Sequence, residues 1–149
     1  MQRAIELAIE SVRAGGGPFG AVVVRGGRIV AEGANRVVLD RDPTAHAEVV
    51  AIREACQVLG THALSDCEIY ASCEPCPMCL AAIGWARIPR VRYACTSADA
   101  AEAGFDDTLF HRELTCPPPE RRIERIQMGR EEGLRVFQAW DEQGDRVPY

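Results

Sequence analysis

Four side chains of this 149-residue chain have the types and spacing of a metal-assisted hydrolytic site. His46 is followed two positions later by Glu48, and Cys76 and Cys79 stand in the run Ser72-Cys73-Glu74-Pro75-Cys76-Pro77-Met78-Cys79. One imidazole and two thiolates form a donor set that holds zinc in catalytic sites, leaving the fourth tetrahedral position for water. Two thiolates cancel the charge of the metal, so the water needs a nearby base, and Glu48 is the side chain placed to help it. Inside a helix, residues two apart point to nearly opposite faces, so His46 and Glu48 converge only at a helix end. The pattern predicts a metal held between two helix N-termini.

The flanking residues agree with that placement. Asp42-Pro43-Thr44 is a helix-start signal ahead of Ala47, Val50, Ala51 and Ala55. Pro75 and Pro77 suit the opening of a second helix, with Cys76 and Cys79 on its first turn, where unpaired backbone N–H groups favour thiolate over thiol. Cys73 is a rival ligand, spaced from Cys76 as Cys76 is from Cys79. It ends the apolar run Ile69-Tyr70-Ala71, and we read it as a buried strand thiol. Half of a structural zinc ribbon is the other alternative, and no second cysteine pair stands at ribbon spacing.

The elements that must carry these residues can be read in order. Ile5, Ala8, Ile9 and Val12 follow helical spacing over residues 1–12, and Gly15-Gly16-Gly17-Pro18 stops that helix. Residues 21–24 and 28–33 read as two strands joined at Gly26-Gly27, with Asn35 at the mouth of the second. A helix from His46 closes at Gly60, a third strand covers 67–73, and the helix opened by Pro75 runs toward Arg87. A short strand follows over 91–94. Strand, helix, strand in that order predicts parallel third and fourth strands. Residues 96–120 read as irregular, 123–128 as a fifth strand and 131–140 as a last helix. The expected class is α/β, a three-layer α/β/α arrangement around a five-stranded mixed sheet, in a single domain over residues 1–149.

Bulk properties restrict the partners. Hydrophobic residues make up 47% and charged residues 26%, an ordinary globular composition, and no apolar stretch is long enough to cross a bilayer. All 17 basic residues are arginine, the net charge is −5, and only Arg121, Arg122 and Arg125 cluster. A nucleic-acid partner calls for a basic stripe, so this balance favours a small substrate. Seven cysteines, mostly within apolar segments, fit a reducing compartment, and the reading places the protein in the cytoplasm.

The His-x-Glu and Pro-Cys-x-x-Cys segments resemble those of the zinc-dependent nucleobase deaminases. The chain is similar to the cytidine-deaminase-like superfamily and, within it, closely resembles the bacterial guanine deaminases. The resemblance runs through residues 17–22, 42–48, 72–80, Trp85-Ala86-Arg87, 99–107 and Phe137-Gln138-Ala139-Trp140, with Ala103-Gly104-Phe105-Asp106-Asp107 and Tyr149 pointing to guanine. It departs at residues 95–98, 117–120 and 141–148.

The resemblance implies one zinc ion on His46, Cys76 and Cys79, Glu48 as proton shuttle, and hydrolysis of guanine to xanthine and ammonia. Phe19 would stack on the purine and Asn35 would hydrogen-bond it, with Ala47, Trp85 and Asp107 completing the pocket. It also implies a homodimer in which a segment of about residues 121–149 is swapped, so that Tyr149 caps the partner's site. Simpler roles stand beside these: Asn35 as a turn residue, Phe19 as a packing anchor, Trp85 as core, Asp107 as a helix cap and Tyr149 as a frayed end. The rival substrates are guanosine, cytosine or cytidine, a triazine such as ammeline, and a tRNA adenosine. A non-catalytic, zinc-stabilised binding protein is the rival of another class.

Overall fold

The computed structural model describes residues 1–148, and Tyr149 lies outside the described residues. The chain forms two compact units, Met1–Phe110 and His111–Tyr149.

The first unit begins with helix α1 (Gln2–Arg13), strands β1 (Gly20–Arg25) and β2 (Arg28–Ala34), and a single turn, α2 (Val37–Asp40). It continues through α3 (Ala47–Leu59), β3 (Cys67–Cys73), α4 (Pro77–Trp85), β4 (Val91–Cys95) and α5 (Ser97–Glu102). Gly26 and Gly27 both take positive φ, +57° and +77°, as a two-residue hairpin between β1 and β2 requires. α3 ends at Gly60 in the left-handed conformation. The sheet order is β2-β1-β3-β4, with β1 antiparallel to both neighbours and β3 parallel to β4. The sheet is therefore mixed, and the crossover through α4 makes the expected parallel pair.

This topology brings the start of β1 and the ends of β2, β3 and β4 to one edge of the sheet, the edge where α/β folds bind ligands. Glycine lets helices lie directly on the strands. A Cβ at Gly20 would stand 2.2 Å from the Ala4 carbonyl oxygen of α1, and one at Gly33 would stand 2.2 Å from the Ala47 carbonyl oxygen of α3. Gly33 pairs with Ala21, whereas Gly20 is its neighbour in β1 and points the other way, so α1 and α3 cover opposite faces. The main core lies on the α3 side, where Ala21, Val23, Ala51, Ala55 and Ile69 are fully buried.

Four expectations are corrected. The sheet has four strands among the described residues, not five. Residues 123–128 do not form a strand; the Arg122 and Ile123 amides donate to the buried Glu113 carboxylate at 2.9 and 3.3 Å instead of to a ladder. Residues 96–120 are not irregular. α5 is capped reciprocally by Thr96 and Asp99, and α6 (Thr108–Thr115) and a 3₁₀ turn (Pro118–Glu120) follow. Finally, α4 begins at Pro77 rather than Pro75, because a residue before proline is driven extended, and Cys76 has ψ 167°.

The second unit holds the rest of α6, the 3₁₀ turn and α7 (Arg130–Glu142). Glu113 organises its start by accepting those two amides and pairing with Arg125 at 3.5 Å, which holds its carboxyl below the usual range. Ile123, Ile126, Met128, Val136 and Phe137 are exposed. No helix among the described residues is long and apolar enough to cross a membrane.

Gly33→Ala tests the close packing of α3. The added methyl has no space against the helix backbone, and a loss of about 1–3 kcal/mol is expected from the urea unfolding midpoint.

Candidate metal centre

His46 is the N-cap of α3, with φ −68° and ψ 153°, and α3 proper starts at Ala47. The Asp42 carboxylate accepts from the Thr44 amide at 2.8 Å and its hydroxyl at 2.7 Å, and the His46 amide donates to the Thr44 carbonyl at 2.8 Å. This turn delivers the imidazole in an extended backbone one residue before the helix. Glu48 is already helical, so the two side chains need not diverge as they would further along. α4 repeats the device, with Cys76 as N-cap, Pro77 in the first turn, and Cys79 fully buried two residues later.

His46 Nδ1 lies 3.6 Å from Cys76 Sγ and 3.5 Å from Cys79 Sγ. With zinc–nitrogen and zinc–sulfur lengths of about 2.0–2.1 and 2.3 Å, a tetrahedral ion needs N···S edges of about 3.6 Å. The three donor atoms all lie within 4.8 Å of one another, and they fit that ion. No fourth protein donor joins them among the described residues. Cys73 stays out of the set, donating instead to the Thr96 carbonyl at 3.3 Å as a buried strand thiol.

The electrostatics suit metal and proton chemistry. Hydrogen bonding from Cys79, followed by burial in the opposite sense and the bond to His46, leaves the Cys76 thiol near a pKa of about 4. The same bond to Cys76, together with burial, pushes Cys79 up. His46 is raised chiefly by its bond to Cys76. Glu48 is 7% exposed, and burial raises its carboxyl above the usual range, as a proton carrier near neutral pH requires. Its Oε2 is 3.4 Å from Cys79 Sγ.

The remaining predicted residues fall in different settings. Asn35 follows β2, is 6% exposed, and its backbone N–H donates to the Phe19 carbonyl at 2.9 Å. Its Oδ1 accepts from Gly17 and Val37, both at 3.3 Å, so that oxygen does serve a turn and the Nδ2 group is the end not used in these bonds. Ala47 is buried in the first turn of α3. Phe19 packs partly against the core and meets Phe105 edge-on, with ring centroids 5.0 Å apart at 86°. Trp85 closes α4 and is 61% exposed, so it is not core. Asp107 is half-buried just before α6, and it is the Asp106 side chain that accepts from the Thr108 amide. Tyr149 lies outside the described residues.

A cavity of about 320 Å³ lies against α1, lined by Ile5, Ile9, Phe19, Phe105, Cys73 and Cys95, among others. None of His46, Glu48, Cys76 and Cys79 lines it. In the sequence Phe105 stands out only as part of the Ala103-Gly104-Phe105-Asp106-Asp107 run, with no role of its own. An aromatic residue directly after Gly104 and before two aspartates is the signal the sequence offers for it.

Residues 1–95 match the cytidine and deoxycytidylate deaminase zinc-binding region. The chain is 55% identical to guanine deaminase of Bacillus subtilis over 150 aligned positions, which cover 100% of this chain and 96% of that one. The crystal structure of that enzyme superposes with a TM-score of 0.95, over 99% of this chain and 95% of the other. The structure of a guanine deaminase from Nitrosomonas europaea is 38% identical, with a TM-score of 0.69 over 71% of this chain and 62% of its own. A tRNA-specific adenosine deaminase of Agrobacterium fabrum is 41% identical over 118 residues, 75% of this chain and 76% of that protein. With its donors in place and its full length aligned, the chain belongs to the cytidine and deoxycytidylate deaminase zinc-binding family.

Proposed function

We propose that the protein hydrolyses guanine to xanthine and ammonia. The observation that carries this reading is the 55% identity to a guanine deaminase along the whole chain, whereas the match to the tRNA-specific adenosine deaminase spans 118 residues. The acidic balance, net charge −5 with scattered arginines, also favours a free base over a polyanion. The seven cysteines are all unpaired, which fits a cytoplasmic enzyme.

In this mechanism His46 Nδ1, Cys76 Sγ and Cys79 Sγ would hold the zinc ion. Bound there, zinc supplies the Lewis acidity that makes water a competent nucleophile near neutral pH. Glu48 takes a proton from the attacking water and carries it to a ring nitrogen of the base. The same carboxyl then protonates the departing amine. Burial of Glu48 keeps its proton affinity high enough for both transfers. Phe19 supplies the stacking face, Asn35 Nδ2 a hydrogen bond to the purine edge, and Ala47, Trp85 and Asp107 further walls of the pocket.

Two surfaces support a dimer with an exchanged C-terminal segment. β4 is exposed along most of its length, and the second unit displays Ile123, Ile126, Met128 and Phe137 to solvent. A second copy covering them would remove that apolar surface from water. In this reading about residues 121–149 cross over, and Tyr149 of the partner subunit caps the site.

Ammonia release from a panel of guanine, guanosine, adenine, cytosine and ammeline by zinc-loaded protein is expected to show turnover with guanine above all others; none from guanine rejects the reading. Glu48→Gln should lower kcat by about 10²–10⁴ while zinc content stays unchanged, since its role is proton transfer. For the exchanged segment, Glu48→Gln and Tyr149→Ala chains, each inactive alone, are refolded together. A swapped cap restores one site in each mixed dimer, about a quarter of normal activity, whereas a cap on its own subunit restores none.

A further inference from the structure

Helix α1 buries a face made of Ala4, Leu7, Ala8 and Ser11. Packing alone asks for apolar residues there, yet Ser11 brings a hydroxyl to a position 4% exposed, where an unpaired polar group is costly. Serine inside a helix commonly bonds back to the carbonyl one turn earlier. Ser11 Oγ instead donates to the carbonyl of Asn35 at 3.0 Å. A Cβ at Gly16 would stand 2.5 Å from that hydroxyl and 2.6 Å from that carbonyl oxygen, so glycine at 16 leaves the room in which the bond forms.

We propose, on the reading that Asn35 contacts guanine, that Ser11 is a positioning residue that acts through Asn35 to aim its Nδ2 group at the purine. With Ser11 on its carbonyl oxygen, Asn35 is held at three polar groups. Its backbone N–H donates to the Phe19 carbonyl at 2.9 Å, and Oδ1 accepts from the Gly17 and Val37 amides at 3.3 Å each. None of these bonds uses Nδ2. Both partners of the side-chain oxygen are backbone donors, so the acceptor end of the amide faces them and the NH₂ end faces away.

The carbonyl side of this frame is the one Ser11 supplies. The peptide between Asn35 and Arg36 is gripped at its oxygen by Ser11, and its N–H donates to the Ala45 carbonyl at 2.9 Å. Ala45 precedes His46, so this peptide is held between α1 and the turn that carries a metal donor. The two bonds to Oδ1 are long against the usual range of about 2.7–3.2 Å, so the side-chain amide leans on the backbone frame for its direction. Without the Ser11 hydroxyl the peptide is held from one side only and can rock. A contact made by Asn35 to both the bound base and the transition state then weakens equally in each, which raises KM and leaves kcat.

Asn35 is the only asparagine of the chain, so asparagine-selective isotope labelling gives a single side-chain NH₂ pair in the NMR spectrum. In zinc-loaded full chain without substrate, Ser11→Ala should shift that pair and lower its heteronuclear NOE, with zinc content unchanged. KM for guanine should rise about 2–10-fold, the factor one neutral hydrogen bond contributes, with kcat kept within about twofold. Gly16→Ala, which puts a methyl into the same bond, should raise KM in the same way. Added to Asn35→Ala, Ser11→Ala should change KM no further, because the hydroxyl acts only through that side chain.

An NH₂ pair that stays unchanged in Ser11→Ala overturns the proposal, and so does an unchanged KM. Effects that multiply in the double variant overturn it too, since they mark a general structural loss. Asn35→Ala with an unchanged KM overturns the contact and the proposal together. The NMR readout needs no substrate, so a failure of the guanine reading shows separately, in the turnover of the unsubstituted chain.

Discussion

The separation of 3.5–3.6 Å between one imidazole nitrogen and two sulfurs depends on where two helices begin. His46 and Cys76 are both N-caps, with ψ of 153° and 167°, and each presents its donor from backbone that is extended rather than helical. One turn later the donors would ride on helical backbone and point along the helix surface. A helix start also offers unpaired N–H groups and the positive end of the helix dipole, both favourable to thiolate. The position that solves the geometry thus also solves the charge.

Bringing two such starts together is a packing problem for the sheet. Gly33 lets the first turn of α3 rest on β2 with no Cβ between them, and Ala47, Ala51 and Ala55 keep the facing surface shallow. The parallel β3-α4-β4 crossover returns α4 to the same edge. Glu48 is buried by this closeness, and its raised proton affinity comes from the packing rather than from a charged partner. One constraint, backbone against backbone, therefore places the donors and tunes the carboxyl.

The residues proposed to meet the substrate are held on a looser principle. Asn35 is fixed by its side-chain oxygen, which accepts from the Gly17 and Val37 amides, and its backbone N–H donates to the Phe19 carbonyl. Phe105 meets Phe19 edge-on, the arrangement favoured by ring quadrupoles. The metal centre is thus cut from helix ends, and the Phe19–Phe105 pair is held by a strand end and a turn.

The His46-Glu48 and Cys76-Cys79 spacings, the hairpin at Gly26-Gly27, the end of α3 at Gly60 and the parallel β3–β4 pair were readable from local order alone. Each rests on interactions within a few residues or on a chirality rule that holds for any sequence. What local order could not supply were the choices made between distant groups. Residues 123–128 have strand-like composition, yet the Glu113 carboxylate, 10 residues from Ile123, takes their first amides. Cys95 faces Cys73 from 22 positions away, and Phe105 meets Phe19 from 86. A side chain's partner across the fold is set by register and packing, and those exist only once the chain has closed on itself.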